Sequence, residues 1–242
     1  MARHSKWANI QTRKNAVDKK RAVIFTKLAR AITVATKEGG ADISTNFKLA
    51  TAIDQAHAAN VPGDNVERAI QKGSGGVDGA QLDAVLFEAY GPSGVAFLIE
   101  ALTDNNNRTA AEIRHLLSKH GGTLAGPGAV QWMFERVGIV RISMDEFVKK
   151  SLDEIELILI DAGAQDIISE DNGLTVVTTV AGLKIVLEAV MKLGIAAEYS
   201  GIEWRPKETV KVEDAVALEK LEVLYDALEN HDDVQNVWSN EA

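Results

Sequence analysis

GSGGVDGA, residues 73–80, separates two stretches of sequence with different hydrophobic periods. Four of its eight residues are glycine. A segment with so few side chains to pack and so much backbone freedom reads as a flexible connection, spanning roughly 15 Å as a random coil. Before it, apolar residues recur every three or four positions, the period of a helix. After it, they alternate as strands do. The expectation is therefore an α+β multidomain chain: a three-helix N-terminal domain followed by two α+β domains.

On the N-terminal side, Val17, Ile24, Phe25, Leu28, Ile32 and Ala35 form one apolar stripe of a helix running from Ala16 to Lys37. Lys19, Lys20, Lys27 and Arg30 fall on the other side, where Val23 and Val34 interrupt the charge and suggest contacts on two faces. Gly39 and Gly40 close this helix. A second helix follows Ser44 or Thr45 as N-cap, with Leu49, Ile53 and Ala56 as its stripe. A third lies in PGDNVERAIQKG, where Asp64 and Glu67 have the spacing of a capping box and Gly73 is the stop.

On the C-terminal side, LDAVLFEAY and VAFLIEAL read as paired strands joined at Gly91-Pro92-Ser93-Gly94. A helix from Asn106 to His120 follows, capped by Asp104 or Asn105 and ended by Gly121 and Gly122. AVQWMFERVGIVRI supplies one or two further strands. A second unit then runs through a helix over Met144–Asp161, strands near Gln165–Ser169 and Leu174–Thr179, a helix over Gly182–Leu193 and a strand at Ala197–Trp204. The tail adds a helix over 213–230 and the strand DVQNVWS. Counting elements, the tail completes the first unit. The expected domains are residues 1–75, a linker at 76–80, a middle domain of 81–137 with 211–242, and an inserted domain at 138–210.

Charge follows the same division. Residues 1–75 hold 13 basic and 6 acidic side chains, a balance of +7; with a whole-chain charge of −9, residues 76–242 carry −16. Eight lysines and arginines lie between His4 and Arg30, against the single acid Asp18. An acidic body with one basic end repels polyanions everywhere except at that end, which points to nucleic acid as the partner. A solvated basic surface is the plainer reading, and the aromatic Trp7 within the cluster argues against it.

Composition excludes other classes. The chain has no cysteine, so disulfides, thiolate zinc sites and cysteine nucleophiles are absent, as suits a cytoplasmic protein. No apolar run reaches the roughly 20 residues a membrane helix needs. His115 and His120 lie about 140° apart around a helix and share no face. Glu112 and His115 share one, but a single Glu-x-x-His pair is a poor metal set, so neither metal nor cofactor is expected. GGTLAGPG follows a helix and lacks the Gly-Lys-Ser/Thr ending of a phosphate loop, and reads as a structural turn. The carboxylates of helix 213–230 read mostly as a solvated face. No nucleophile with a neighbouring base stands out, so no enzyme chemistry is assigned, although a cleft between the two α+β domains leaves that class open.

HSKWANIQTRKNAVDKKRAVIFTKLARAI, NVPGDNVERAIQKGSGG, FEAYGPSGVAFLIEALTDNNNRTAAEIRHLLSKHGGTL and AVQWMFERVGIV together resemble the YebC/PmpR family, whose mitochondrial members include the translational activator of cytochrome c oxidase subunit one. The resemblance is strongest over residues 4–137, and the opening at His4 leaves no room for a cleaved presequence. It implies a C-terminal segment returning to the middle domain and a non-enzymatic regulator of gene expression, acting on DNA or on the ribosome. Two departures from the family pattern stand out: Arg3 in place of glycine adds charge at the binding end, and Asn106 in place of arginine removes it from the middle domain.

The sequence-level expectation is a monomeric, cytoplasmic nucleic-acid-binding factor, with ribosomal RNA as first choice of partner and DNA as second. Its candidate contacts are Arg3, His4, Ser5, Lys6, Trp7, Arg13, Lys14, Lys19, Lys20, Arg21, Lys27 and Arg30. Lysines suit phosphates better than base edges, and Trp7 or His4 can stack on an unpaired base. Arg108 and Thr109 are secondary candidates, with helix capping the more economical role for their loop.

Overall fold

The computed structural model describes residues 17–75, 82–143, 152–170 and 173–242, with side chains in the first helix from Val23 onward. Within these residues lie seven α-helices and eight strands, and the strands form two four-stranded sheets. The chain divides into two compact units, residues 1–133 with 206–242, and residues 134–205.

The first unit opens with α1 (Val17–Gly39), α2 (Phe47–Ala58) and α3 (Gly63–Gly73). Ile32 and Ala35 of the expected stripe join Leu49, Ala52, Ile53, Ala56, Val61, Val66 and Ala69 in a small core. Ile24 departs from expectation: it stands 46% exposed, while its neighbour Phe25 packs against the core. The caps differ too. Asn46 caps α2, its side chain accepting the Leu49 N–H and donating to the carbonyls of Ala35 and Gly40, so it closes one helix while starting the next. At α3 the N-cap is Pro62 with no side-chain cap, so the expected capping box is not formed. Gly73 does more than stop α3: a Cβ there would lie 2.4 Å from the Thr33 carbonyl oxygen, so glycine allows α1 and α3 to approach closely.

The same unit continues with β1 (Asp83–Tyr90), β2 (Ala96–Thr103), α4 (Asn106–Lys119) and the short β3 (Thr123–Leu124). The tail returns as α7 (Ala215–Glu229) and β8 (Val234–Ser239), giving the sheet order β3-β1-β2-β8. β8 lies antiparallel to β2, pairing Phe97 with Ser239 and Ile99 with Val237. Alternate residues Phe97, Ile99 and Ala101 bury one sheet face with Ile113 and Leu117 of α4 and Leu221, Leu224 and Leu228 of α7. A buried glutamate, Glu88, fixes the loop after β3. Its carboxylate accepts N–H bonds from Gly128, Val130 and Gln131 at 2.5–2.8 Å. Burial pushes this carboxyl up, but the backbone donors outweigh it and hold the group below its ordinary value.

The second unit is β4 (Phe134–Ser143), α5 (Leu152–Asp161), β5 (Ala164–Glu170), β6 (Gly173–Thr179), α6 (Leu183–Lys192) and β7 (Ala197–Pro206). Its βαββαβ sequence with sheet order β5-β6-β4-β7 is a ferredoxin-like arrangement. The expected boundary at 137/138 cuts through β4. From Val137 opposite Thr179 to Ser143 opposite Gly173 the strand pairs with β6, and the unit begins at Phe134. The strand's sequence, FERVGIVRIS, carries no mark of which sheet it joins.

Candidate nucleic-acid interface

Of the candidate contacts, Arg3, His4, Ser5, Lys6, Trp7, Arg13 and Lys14 lie outside the described residues. Lys19, Lys20 and Arg21 sit on the first two turns of α1, with their side chains also outside them. Lys27 and Arg30, one turn apart further along α1, are described in full, and they do not simply face solvent.

Both reach the end of α7. The Lys27 ammonium donates to the carbonyl of Glu229, the last residue of that helix, at 2.5 Å. Arg30 Nη1 donates to the Asp232 carbonyl at 2.7 Å and to Asp233 Oδ1 at 2.6 Å. Carbonyls left without an intrahelical partner at a helix C-terminus carry partial negative charge, so a cation pair from another helix is well placed there.

Asp233 is the hub of this contact. Its side chain is only 4% exposed. Oδ2 accepts from the Thr109 hydroxyl at 2.6 Å and from Arg108 Nη2 at 2.8 Å. Its backbone N–H donates to His231 Nδ1, which leaves the ring proton on Nε2 to be donated to Glu112 at 3.0 Å. Its carbonyl accepts the Leu102 N–H at 2.8 Å, continuing the β2–β8 ladder. Burial pushes the Asp233 carboxyl up, but hydrogen bonds from Thr109, Arg108 and Arg30, with the charge of Arg30, outweigh it and hold the group at about 2.

The secondary candidates find structural roles here. Thr109 is fully buried, with its hydroxyl also 2.7 Å from that of Thr103, so it is no surface contact. Asn105 caps α4 by accepting the Arg108 N–H. The Arg108 guanidinium pairs with Asp104 at 3.0 Å and Asp233 at 2.8 Å. The loop's polar residues therefore serve capping and ion pairing.

Glu112, His231 and Asp233 offer three ligand atoms within 4.8 Å of one another. Two guanidiniums already occupy the two oxygens of Asp233 and His231 Nδ1 accepts a backbone proton, so these donors suit an arginine hub better than a metal cation. Sequence reasoning missed both Asp233 and His231. Asp233 meets partners 203 and 125 residues away, and nothing local distinguishes it from Asp232. Among the described residues no helix is long and apolar enough to cross a membrane.

Comparison with known proteins gives a consistent result. The model of the TACO1/YebC N-terminal domain matches residues 5–76, and that of the TACO1/YebC second and third domain matches residues 82–241. A probable transcriptional regulatory protein of Thermoanaerobacter pseudethanolicus is 47% identical, the alignment covering 99% of this chain and 96% of the relative. Another of that description, from Thermotoga maritima, is also 47% identical, covering 99% and 93%. The crystal structure of a conserved hypothetical protein from Aquifex aeolicus superposes with a TM-score of 0.89 at 41% identity, over 98% of this chain and 97% of that one. With its basic helical head and both α+β portions matched in order, this chain belongs to the TACO1/YebC family.

Proposed function

We propose that this protein is a non-enzymatic, cytoplasmic regulator of gene expression that binds nucleic acid through its basic N-terminal domain. The observation that carries the reading is the charge division, +7 over residues 1–75 against −16 over the remainder. Such a molecule meets a polyanion with one end only, and that end includes α1 with Lys19, Lys20 and Arg21. The relatives named as probable transcriptional regulatory proteins favour duplex DNA as the target. DNA therefore stands ahead of ribosomal RNA, the first choice from sequence. A ribosomal RNA target retains one specific support: the cluster holds mostly lysines, suited to phosphate, beside Trp7, which suits an unpaired base.

The two readings share their electrostatics and differ in the target recovered. If about 6 of the 10 basic residues in positions 1–37 meet phosphates, binding to duplex DNA falls with salt at a log–log slope of about −5. A flat salt response would overturn the phosphate-contact model. Crosslinking in cells followed by sequencing of the bound nucleic acid separates the targets: promoter fragments support the transcriptional reading, and ribosomal RNA moves the assignment to translation. Trp7→Ala sharpens the second outcome. Stacking on a base predicts a loss of about 1–3 kcal/mol in binding with the salt slope unchanged. A lowered melting temperature with intact affinity would make Trp7 a packing residue.

A further inference from the structure

Two of the cations assigned to the basic cluster are held by the acidic body. Lys27 and Arg30 meet an oxygen-lined end of α7 built from the carbonyls of Glu229 and Asp232 and the carboxylate of Asp233. That set resembles what a phosphodiester offers a lysine and an arginine: anionic oxygen at hydrogen-bond distance, with further acceptors beside it.

The acceptor is organised without α1. Asp233 is positioned by Thr109 and Arg108, by His231 on its backbone N–H and by the Leu102 N–H on its carbonyl, all within the middle sheet and its helices. The receptor is therefore preformed, and the exchangeable part is the incoming helix. Arg30 keeps 25% of its side chain exposed while Asp233 keeps 4%, so a competing anion has access to the guanidinium and little access to the carboxylate. α1 is joined to the middle sheet through α2, α3 and the glycine-rich segment around residues 73–80, with Gly75 in a left-handed conformation.

We propose that Asp233 and the C-terminal end of α7 act as an internal stand-in for phosphate, competing with the phosphodiester backbone of nucleic acid for Lys27 and Arg30. Binding nucleic acid and releasing α1 from the body are then a single equilibrium. With the head docked, Lys27 and Arg30 are engaged by the Glu229 and Asp232 carbonyls and the Asp233 carboxylate, and are withheld from a polyanion. With the head released, all its cations are available. The apparent affinity is the intrinsic affinity reduced by the fraction of molecules in the released state. Weak, non-specific polyanions are excluded, while a ligand that makes enough phosphate contacts opens the contact.

This inference rests on the nucleic-acid-binding reading above, and its test uses the full chain. Because the protein has no cysteine, a pair introduced as Lys27→Cys with Glu229→Cys can be bridged by a reducible bis-maleimide without side reactions. The bridged protein should bind a 30-base-pair duplex or an RNA hairpin at least about tenfold more weakly than the same protein after reductive cleavage of the linker. Asp233→Asn removes the competing charge and should raise affinity by a similar factor, with retained circular dichroism confirming the fold. Where that variant fails to fold, the bridged pair carries the test alone. Affinity indifferent to bridging overturns the inference and leaves the proposed function standing. A wild-type protein that binds no nucleic acid at all overturns both.

Discussion

The two units each contain an arginine–carboxylate network, built to different plans. In the second unit Arg141 on β4 and Glu203 on β7 form a closed pair, with Nη1 and Nη2 donating to the two carboxylate oxygens at 3.0 and 2.9 Å. Both side chains are under 10% exposed, and the guanidinium lies 4.8 Å from the centre of the Tyr199 ring. In the first unit one carboxylate, Asp233, serves two arginines that remain 25% and 44% exposed. A closed, buried pair has no access to a competing anion and acts on stability alone. An open hub, with its acceptor buried and its donors within reach of solvent, allows those donors to exchange.

The largest effect expected from this comparison is in the closed pair. Glu203→Gln leaves the Arg141 charge buried without a counter-charge and should cost about 3–5 kcal/mol in urea unfolding. Replacing both partners by apolar residues of similar volume, Arg141→Met with Glu203→Leu, should recover most of that loss. If the single and double variants are equally unstable, the pair contributes by packing and the distinction from the Asp233 hub weakens.

Next comes the acid dependence of the open hub. The carboxyl of Asp233 is held at about 2, below its ordinary 3.8, so its stabilisation is fully present above pH 4 and is lost as pH falls through about 2. The sign follows because the unfolded chain binds the proton first. The shift corresponds to about 2 kcal/mol. Asp233→Asn should remove this part of the acid dependence between pH 4 and pH 2, measured by denaturant titration at each pH. An unchanged pH profile would mean that the arginines do not hold the carboxylate charged.

Replacing Lys19, Lys20 and Arg21 with alanine probes the end of α1 before the hub. Nucleic-acid affinity should fall for all sequences alike, and the salt slope should become shallower by up to about 3. Folding stability should change by less than about 0.5 kcal/mol. An unchanged slope would move phosphate binding away from this turn of α1.

The smallest effect is expected at a fully surface pair. Lys48 and Glu38 meet at 2.7 Å but are 66% and 47% exposed, and Lys48→Ala should change stability by no more than about 0.5 kcal/mol. A larger loss would show that exposure fails to rank these contacts.

Several features of the fold were legible because their causes are local. The apolar stripe of α1 through Phe25, Leu28, Ile32 and Ala35 and the strand character of β1 and β2 each arise within a few residues. So does the cap on α4, where Asn105 needs only the N–H three positions on. Capping elsewhere was misread, since Asn46 was chosen over Ser44 and Thr45 by the Ala35 and Gly40 carbonyls that converge on it in three dimensions.

By itself the sequence determined the α+β class, the basic head on an acidic body and the family, because composition, period and motif are properties of neighbouring residues. Tertiary structure alone decided that β4 belongs wholly to the second sheet, that Glu88 secures the loop at 128–131, and that Arg30 and Arg108 share Asp233. Strand partnership and ion pairing depend on which distant groups arrive at hydrogen-bond distance. A carboxylate carries no mark in the sequence of the two arginines, 203 and 125 residues away, that will hold it charged.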